Sequence, residues 1–324
     1  MPPGESSSAT SPPVEGERRM AVIDIGSNAV RLLVADVGPK GQLRRVARAR
    51  VEPRLASGLL VGGVLDATAM ERAVAAVAEM VGQAHAAGAA SVDIVATSAV
   101  RDARNGRAFV DWVVRATGLP VRVLSERAEA ELAFEAASSY FDLSAGRFLV
   151  CDIGGGSVQV ALVENARLHS VASFPLGAIR VTEEFPEMDR SPQQLAELRH
   201  CLRERVLARS PGLRDWQGAR MLGMGGTFTS LAAVHLASTE QYERSAVHGV
   251  RMNRSQLERI LELLASTPLE DRRHIPGMEA GRADIIVGGT AVAAELLAIV
   301  NGPEVVVSAY GIREALLLER AAYR

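Results

Sequence analysis

Lysine is all but missing from this 324-residue chain: Lys40 is the only one, and every other basic side chain is arginine. A P-loop ends in Gly-Lys-Ser/Thr, which occurs nowhere here. Lys40 sits in the turn Gly38-Pro39-Lys40-Gly41, which argues against a Schiff-base amine. Phosphate, if bound, must be held by glycine-rich backbone and arginine. Cysteine is nearly as scarce. Cys151 and Cys201 make no CxxC metal pair and no disulfide framework, a usage that fits a reducing, cytoplasmic setting. The six histidines are scattered, without an HxxxH or His-Asp pair, and read as structural. No GxSxG nucleophile elbow is present. No uninterrupted apolar run reaches about 18 residues, so no transmembrane helix is expected. A net charge of −2 gives no electrostatic case for nucleic acid or an anionic membrane.

What is present is apolar material, 48% of the chain, at a length that suits two α/β domains of about 150 residues each. Residues 1–19 are rich in Pro, Ser, Gly and Glu without an apolar h-region, so they read as a disordered tail rather than a secretory signal. The domains are expected at 20–138 and 139–324, with the last helix able to pack back on the first. Short, largely apolar runs bounded by turn residues predict strands at 21–24, 30–37, 43–49, 92–97, 121–124, 148–152, 158–163, 167–173, 219–223 and 304–307. Helical spacing predicts helices at 66–87, 107–117, 126–137, 191–208, from the 224–227 turn to about 237, 255–264, 282–300 and 312–323.

An internal repeat organises these elements. Val22-Ile23-Asp24-Ile25-Gly26-Ser27 returns as Val150-Cys151-Asp152-Ile153-Gly154-Gly155. Each copy is an apolar strand tipped by an acid, a small polar turn and a second apolar strand, which packing alone does not explain. In the first copy Gly26 can turn successive N–H groups toward a phosphate, Ser27 and Asn28 add donors, and Asp24 could hold Mg²⁺. An Asx-type hairpin turn would also account for it. In the second copy Gly154, Gly155 and Gly156 let backbone approach a ligand, and Ser157 adds a donor. Gly223-Met-Gly225-Gly226-Thr227 follows a strand and opens a helix, aiming N–H groups at an anion; its glycine spacing is not that of a dinucleotide fingerprint. Ser98 and Arg101 lie in Thr97-Ser-Ala-Val-Arg-Asp102, where Arg101 could clamp phosphate or merely pair with Asp102 at a helix start. Nothing in the pattern around Glu129 separates it from Glu126, Glu131 and Glu135.

Two acid-tipped hairpins and a late Gly-Gly-Thr turn resemble the phosphate and adenosine motifs of the actin/hexokinase superfamily. From about Met20 onward the chain resembles, more closely, the exopolyphosphatase/guanosine pentaphosphate phosphohydrolase family. The resemblance runs through Asp24-Ile-Gly-Ser-Asn-Ala-Val-Arg-Leu32, Ala96-Thr-Ser-Ala-Val-Arg-Asp-Ala103 and Val123-Leu-Ser-Glu-Arg-Ala-Glu-Ala130. It continues in Asp152-Ile-Gly-Gly-Gly-Ser157, Phe174-Pro-Leu-Gly-Ala-Ile-Arg180, Gly225-Gly-Thr227, Val247-His-Gly249, Arg282-Ala-Asp284 and Ser308-Ala-Tyr-Gly-Ile-Arg-Glu314. It implies two ribonuclease H-like (actin-like ATPase) α/β domains flanking a cleft, and Mg²⁺-dependent hydrolysis of a terminal phosphoanhydride in polyphosphate or guanosine pentaphosphate. It makes Glu129 the candidate general base, places Asp24 and Asp152 at the metal, and completes a candidate catalytic set of Glu129, Asp152 and Gln159. The family usually has Ser-Thr-Glu after the triple glycine; here Ser157-Val158-Gln159 puts a neutral amide where a carboxylate is expected. That departure keeps open a weakly active polyphosphate- or alarmone-binding sensor, beside a polyphosphate:ADP phosphotransferase of the same superfamily. Family members are often dimers, so a homodimer is the expected assembly, although the sequence carries no interface signal.

Overall fold

The computed structural model describes residues 13–14, 16–39, 41–189, 191–236 and 244–322. Most of the expected tail, Lys40 and the ends of the helices expected near 237 and 323 lie outside the described residues. Among the described residues two sheets are present. The first unit runs β1 (Arg18–Ile25), β2 (Val30–Val37), β3 (Leu43–Val51), α1 (Leu59–Gly62), α2 (Ala67–Ala86), β4 (Ser91–Ala96), α3 (Ser98–Asp102), α4 (Gly106–Thr117), β5 (Val121–Val123) and α5 (Glu126–Tyr140). Its strand order is β3-β2-β1-β4-β5.

The second unit opens with the same meander, β6 (Arg147–Ile153), β7 (Val158–Glu164) and β8 (Arg167–Phe174), then α6 (Ala178–Glu184) and α7 (Pro192–Arg209). There follow β9 (Arg220–Met224), α8 (Gly225–His235), α9 (Arg244–Val247), β10 (Arg251–Asn253), α10 (Arg254–Ser266) and α11 (Leu269–Arg272). α12 (Ile286–Ile299), β11 (Glu304–Val307) and α13 (Ile312–Ala322) close the chain. The sheet order is β10-β11-β9-β6-β7-β8. In both units the first three strands are antiparallel and the next one returns parallel to the first.

The repeat therefore extends to hydrogen bonding. Gly26 N–H donates to Ala29 O and Gly154 N–H to Ser157 O, each at 3.0 Å. The turns are the same length, so Asp24 stands in register with Arg31, and Asp152 with Gln159. β1, buried along nearly its whole length, reads as an apolar run. β3 lies at the sheet edge and carries exposed arginines, as edge strands commonly do.

Helix ends follow their caps: Asp66 accepts from Ala69 N–H at 2.9 Å to start α2, and Ser125 accepts from Ala128 N–H at 3.2 Å to start α5. α5 packs on β6, β7 and β8 of the second sheet, and α13 packs on α5, β1 and β2. Their residues Leu132, Ala136 and Leu316 share one core with Val22 and Leu33 of the first sheet and Val150 and Ala161 of the second. The carboxyl ends of β1 and β6 thus open onto a common cleft.

Several elements differ from the expected pattern, the short helices α1, α9 and α11 among them. The segment after Thr97 is helix α3, and α6 and β10 were not anticipated. α12 begins at Ile286 rather than Arg282, because Ala280–Arg282 forms a 3₁₀ turn that turns Arg282 inward. The Gly288-Gly289 pair stays helical: a Cβ on Gly289 would lie 2.7 Å from Thr227 Oγ1, and one on Gly288 would lie 3.1 Å from Val181 Cγ1. Glycine there lets α12 press against α8 and α6. No described helix is long and apolar enough to cross a membrane.

Candidate active site

The cleft holds a cavity of about 1030 Å³. The first turn contributes Asp24, Gly26, Ser27 and Asn28 to its wall; the second contributes Asp152, Gly154, Gly155, Ser157 and Gln159. Ser98, Glu129, Gly225 and Gly226 complete the expected residues that line it. Segments far apart in the chain meet here because both acid-tipped strands end at the same face.

Three expected residues do not line the cavity. Gly156 is a spacer between turns: a Cβ would lie 2.6 Å from Ser98 Oγ and 2.7 Å from Ser27 Oγ. Those two hydroxyls are hydrogen-bonded at 2.9 Å. Thr227 is buried inside α8 against Gly289. Arg101 lies behind the wall, where its Nη1 donates to Glu129 Oε1 and to Leu124 O.

Glu129 sits in the first turn of α5 and is 5% exposed. Burial lifts its carboxyl to about 7, the Arg101 guanidinium pulls against this, and Asp152 and Asp24 add to the rise. Burial also pushes Asp152 up to about 6, opposed by Arg31 and Arg313. Asp24 is raised for the same reason. A carboxyl held near neutrality in a cleft is what general-base chemistry requires.

Arginines absent from the expected site surround these acids. Arg31 approaches Asp24 to 3.8 Å. Burial and the neighbouring cations Arg282 and Arg313 lower Arg31 to about 9, so it remains cationic at neutral pH. Arg48, Arg50, Arg282 and Arg313 also line the cavity. Arg282, 5% exposed, lies on the third turn, where a Cβ on Gly226 would be 1.9 Å from its Nη2. Its Nε donates to Glu279 at 2.9 Å. Among the described residues, three buried polar atoms at or beside this wall have no hydrogen-bond partner: Asp24 Oδ1, Asn28 Nδ2 and Arg101 Nη2. Orphaned polar atoms are costly unless a ligand meets them. Crowded cations beside glycine turns suit a polyanion.

Comparison with known proteins places the chain in a family. A family model described as the Ppx/GppA phosphatase family matches residues 33–324. Exopolyphosphatase 2 of Mycobacterium tuberculosis is 34% identical over 293 residues, 86% of this chain and 89% of that protein. The crystal structure of an Aquifex aeolicus Ppx/GppA family member superposes with a TM-score of 0.78 at 26% identity, covering 94% of this chain and 97% of that one. An exopolyphosphatase from Cytophaga hutchinsonii has a TM-score of 0.87 at 23% identity, over 94% and 98% of the two chains, a likeness of fold. The two sheets are thus those of two actin-like domains.

Proposed function

The chain belongs to the Ppx/GppA phosphatase family, and from that premise we propose that it is an exopolyphosphatase, removing terminal phosphate from inorganic polyphosphate. One observation carries the reading: a buried, near-neutral Glu129 faces the same cavity as two acid-tipped glycine turns and a ring of arginines. The exopolyphosphatase relative supports it.

In this reading the glycine turns and Arg31, Arg282 and Arg313 hold the chain end. Glu129 accepts a proton from water as the water oxygen bonds to the terminal phosphorus. The bond from that phosphorus to the bridging oxygen breaks, releasing orthophosphate and a chain one unit shorter. Phosphoryl transfer needs charge neutralisation and alignment more than covalent help. Arg101 orients Glu129 and tempers its basicity.

Asp24, with its orphaned Oδ1, and Asp152 are the donors that fit Mg²⁺. Among the described residues no three His, Cys, Asp or Glu side chains gather into a cage. Mg²⁺ characteristically takes one or two carboxylates plus substrate phosphate and water. When bound it supplies charge neutralisation on the phosphate oxygens.

A phosphotransferase would need room for a nucleoside beside Gly225 and Gly226, where the Arg282 guanidinium packs against Gly226. Guanosine pentaphosphate offers the same scissile bond, so it is the near alternative. The test is orthophosphate release with Mg²⁺ from short polyphosphate, long polyphosphate and guanosine pentaphosphate, with ADP added in a parallel arm. Faster release from polyphosphate is expected. Preference for guanosine pentaphosphate, or ATP formation, would overturn the assignment. Binding without release from any of them would turn it into a sensor.

Gly177→Ala probes the second turn from behind. Its Cβ would lie 2.4 Å from the carbonyl carbon and oxygen of Gly155. The Gly154–Gly156 turn must shift, and a displacement near 1 Å is expected to cost up to about a hundredfold in kcat/KM. An unchanged kcat/KM would mean the turn does not hold substrate.

A further inference from the structure

The repeat places two equivalent rows of side chains at the cleft, every member but Ser173 lining the cavity. Across β1, β2 and β3 the register partners are Asp24, Arg31 and Arg50. Across β6, β7 and β8 they are Asp152, Gln159 and Ser173. Register partners share a face of the sheet and lie side by side. The first row carries two guanidiniums and one carboxylate; the second carries one carboxylate and neutral groups. Together the rows hold two acids and two cations, with no surplus negative charge.

Gln159 is 3% exposed. Its Nε2 donates to Ser157 Oγ at 2.8 Å and lies 3.5 Å from Ser173 Oγ. A serine hydroxyl has a single proton to give. Because Ser157 accepts from Gln159, its own O–H is left for another acceptor, and Ser157 lines the cavity beside Gly155. A glutamate at 159 would have no N–H. It would take the Ser157 proton for itself and set a second carboxylate directly beside Asp152. Like charges so placed repel each other, and repel phosphate, unless a cation stands between them.

We propose that Gln159 is a positioning residue that makes this half of the cleft a metal-independent seat for phosphate. Ser157 and the glycine-turn N–H groups bind phosphate oxygens by hydrogen bonds, opposite the guanidiniums of the first row. The divalent cation then arrives with the polyanion instead of residing there beforehand. The inference deepens the exopolyphosphatase reading and rests on it for the identity of the ligand.

The test is calorimetry on the full chain with two probes: tripolyphosphate in EDTA, and Mg²⁺ without phosphate. The wild-type protein should bind tripolyphosphate in EDTA and bind Mg²⁺ alone weakly. Gln159→Glu should lose on the order of tenfold or more of the tripolyphosphate affinity, the scale of a charged hydrogen bond reversed, and gain affinity for Mg²⁺ alone. Gln159→Leu, which removes the N–H without adding charge, should weaken tripolyphosphate binding several-fold and leave Mg²⁺ affinity unmoved. It keeps the idea testable if the glutamate variant fails to fold.

Equal tripolyphosphate affinity in wild type and variants, or a wild type that binds tripolyphosphate only with Mg²⁺ yet hydrolyses it, would overturn the inference and leave the exopolyphosphatase reading standing. Wild-type binding in EDTA that Gln159→Glu removes, without turnover of any polyphosphate, would uphold the inference and remove that reading.

Discussion

Glu129→Gln is expected to lower kcat for phosphate release by on the order of 10²–10⁴-fold, the usual worth of a positioned general base. Glutamine is the right probe because its amide oxygen still accepts from Arg101. Alanine would leave a partly buried guanidinium short of its partner, mixing lost catalysis with lost stability. Affinity for polyphosphate should change little, because the glycine turns and cavity arginines are untouched. Full turnover in the glutamine variant would remove Glu129 from the mechanism.

The same residue sets a pH dependence. A general base works as its anion, so with Glu129 at about 7 the rate should climb as pH rises through that value and level off above it. Arg101 opposes the effect of burial. Arg101→Gln should therefore raise the Glu129 pKa and move the climb to higher pH. Asp152 and Asp24 also face Glu129 and favour its protonated form, so Asp152→Asn should move the climb the other way. Identical profiles for wild type and Arg101→Gln would mean another group is titrating.

How much of this could be seen beforehand depended on whether the cause was local. The two acid-tipped turns were legible because Asp-Ile-Gly recurs with its flanking apolar strands, and a hairpin is written in consecutive residues. Arg31 was within reach of the same argument: the turn bonded from Gly26 to Ala29 places it opposite Asp24. Glu129 was not, since its charged helix offers four similar acids and only tertiary packing decides which is buried. It became a candidate through family resemblance. Arg282 had no local signal either, because the 3₁₀ turn that turns it inward interrupts a segment whose apolar spacing reads as helix. α6 was missed because it is seven residues long and is started by backbone bonds from Ala178 and Ile179 to Gly154 and Gly155 of a distant turn. Thr227 misled in the opposite sense, since a polar residue after two glycines looks like a ligand contact and here fills a helix–helix contact.

The third turn supports a sharp expectation about Arg282. Gly226→Ala should reduce kcat/KM on polyphosphate on the order of 10²–10³-fold, the scale for losing one preorganised charge contact, and Arg282→Ala should do about the same. The new methyl would stand 1.9 Å from Arg282 Nη2 and 2.0 Å from Cζ, so the guanidinium must leave its place. It is buried and anchored through Nε to Glu279, so a small retreat is not available. Removing it does not strand that acid, because Arg50 Nη1 also donates to Glu279. Two substitutions that eject the same group should not multiply, and the double variant is expected to be no worse than the worse single. Arg282→Lys should rescue little, since an ammonium cannot lie flat on a glycine backbone as a planar guanidinium does. If the two losses instead multiply, the added methyl disturbs the third turn or the ligand on it directly, and seating Arg282 is not the role of Gly226.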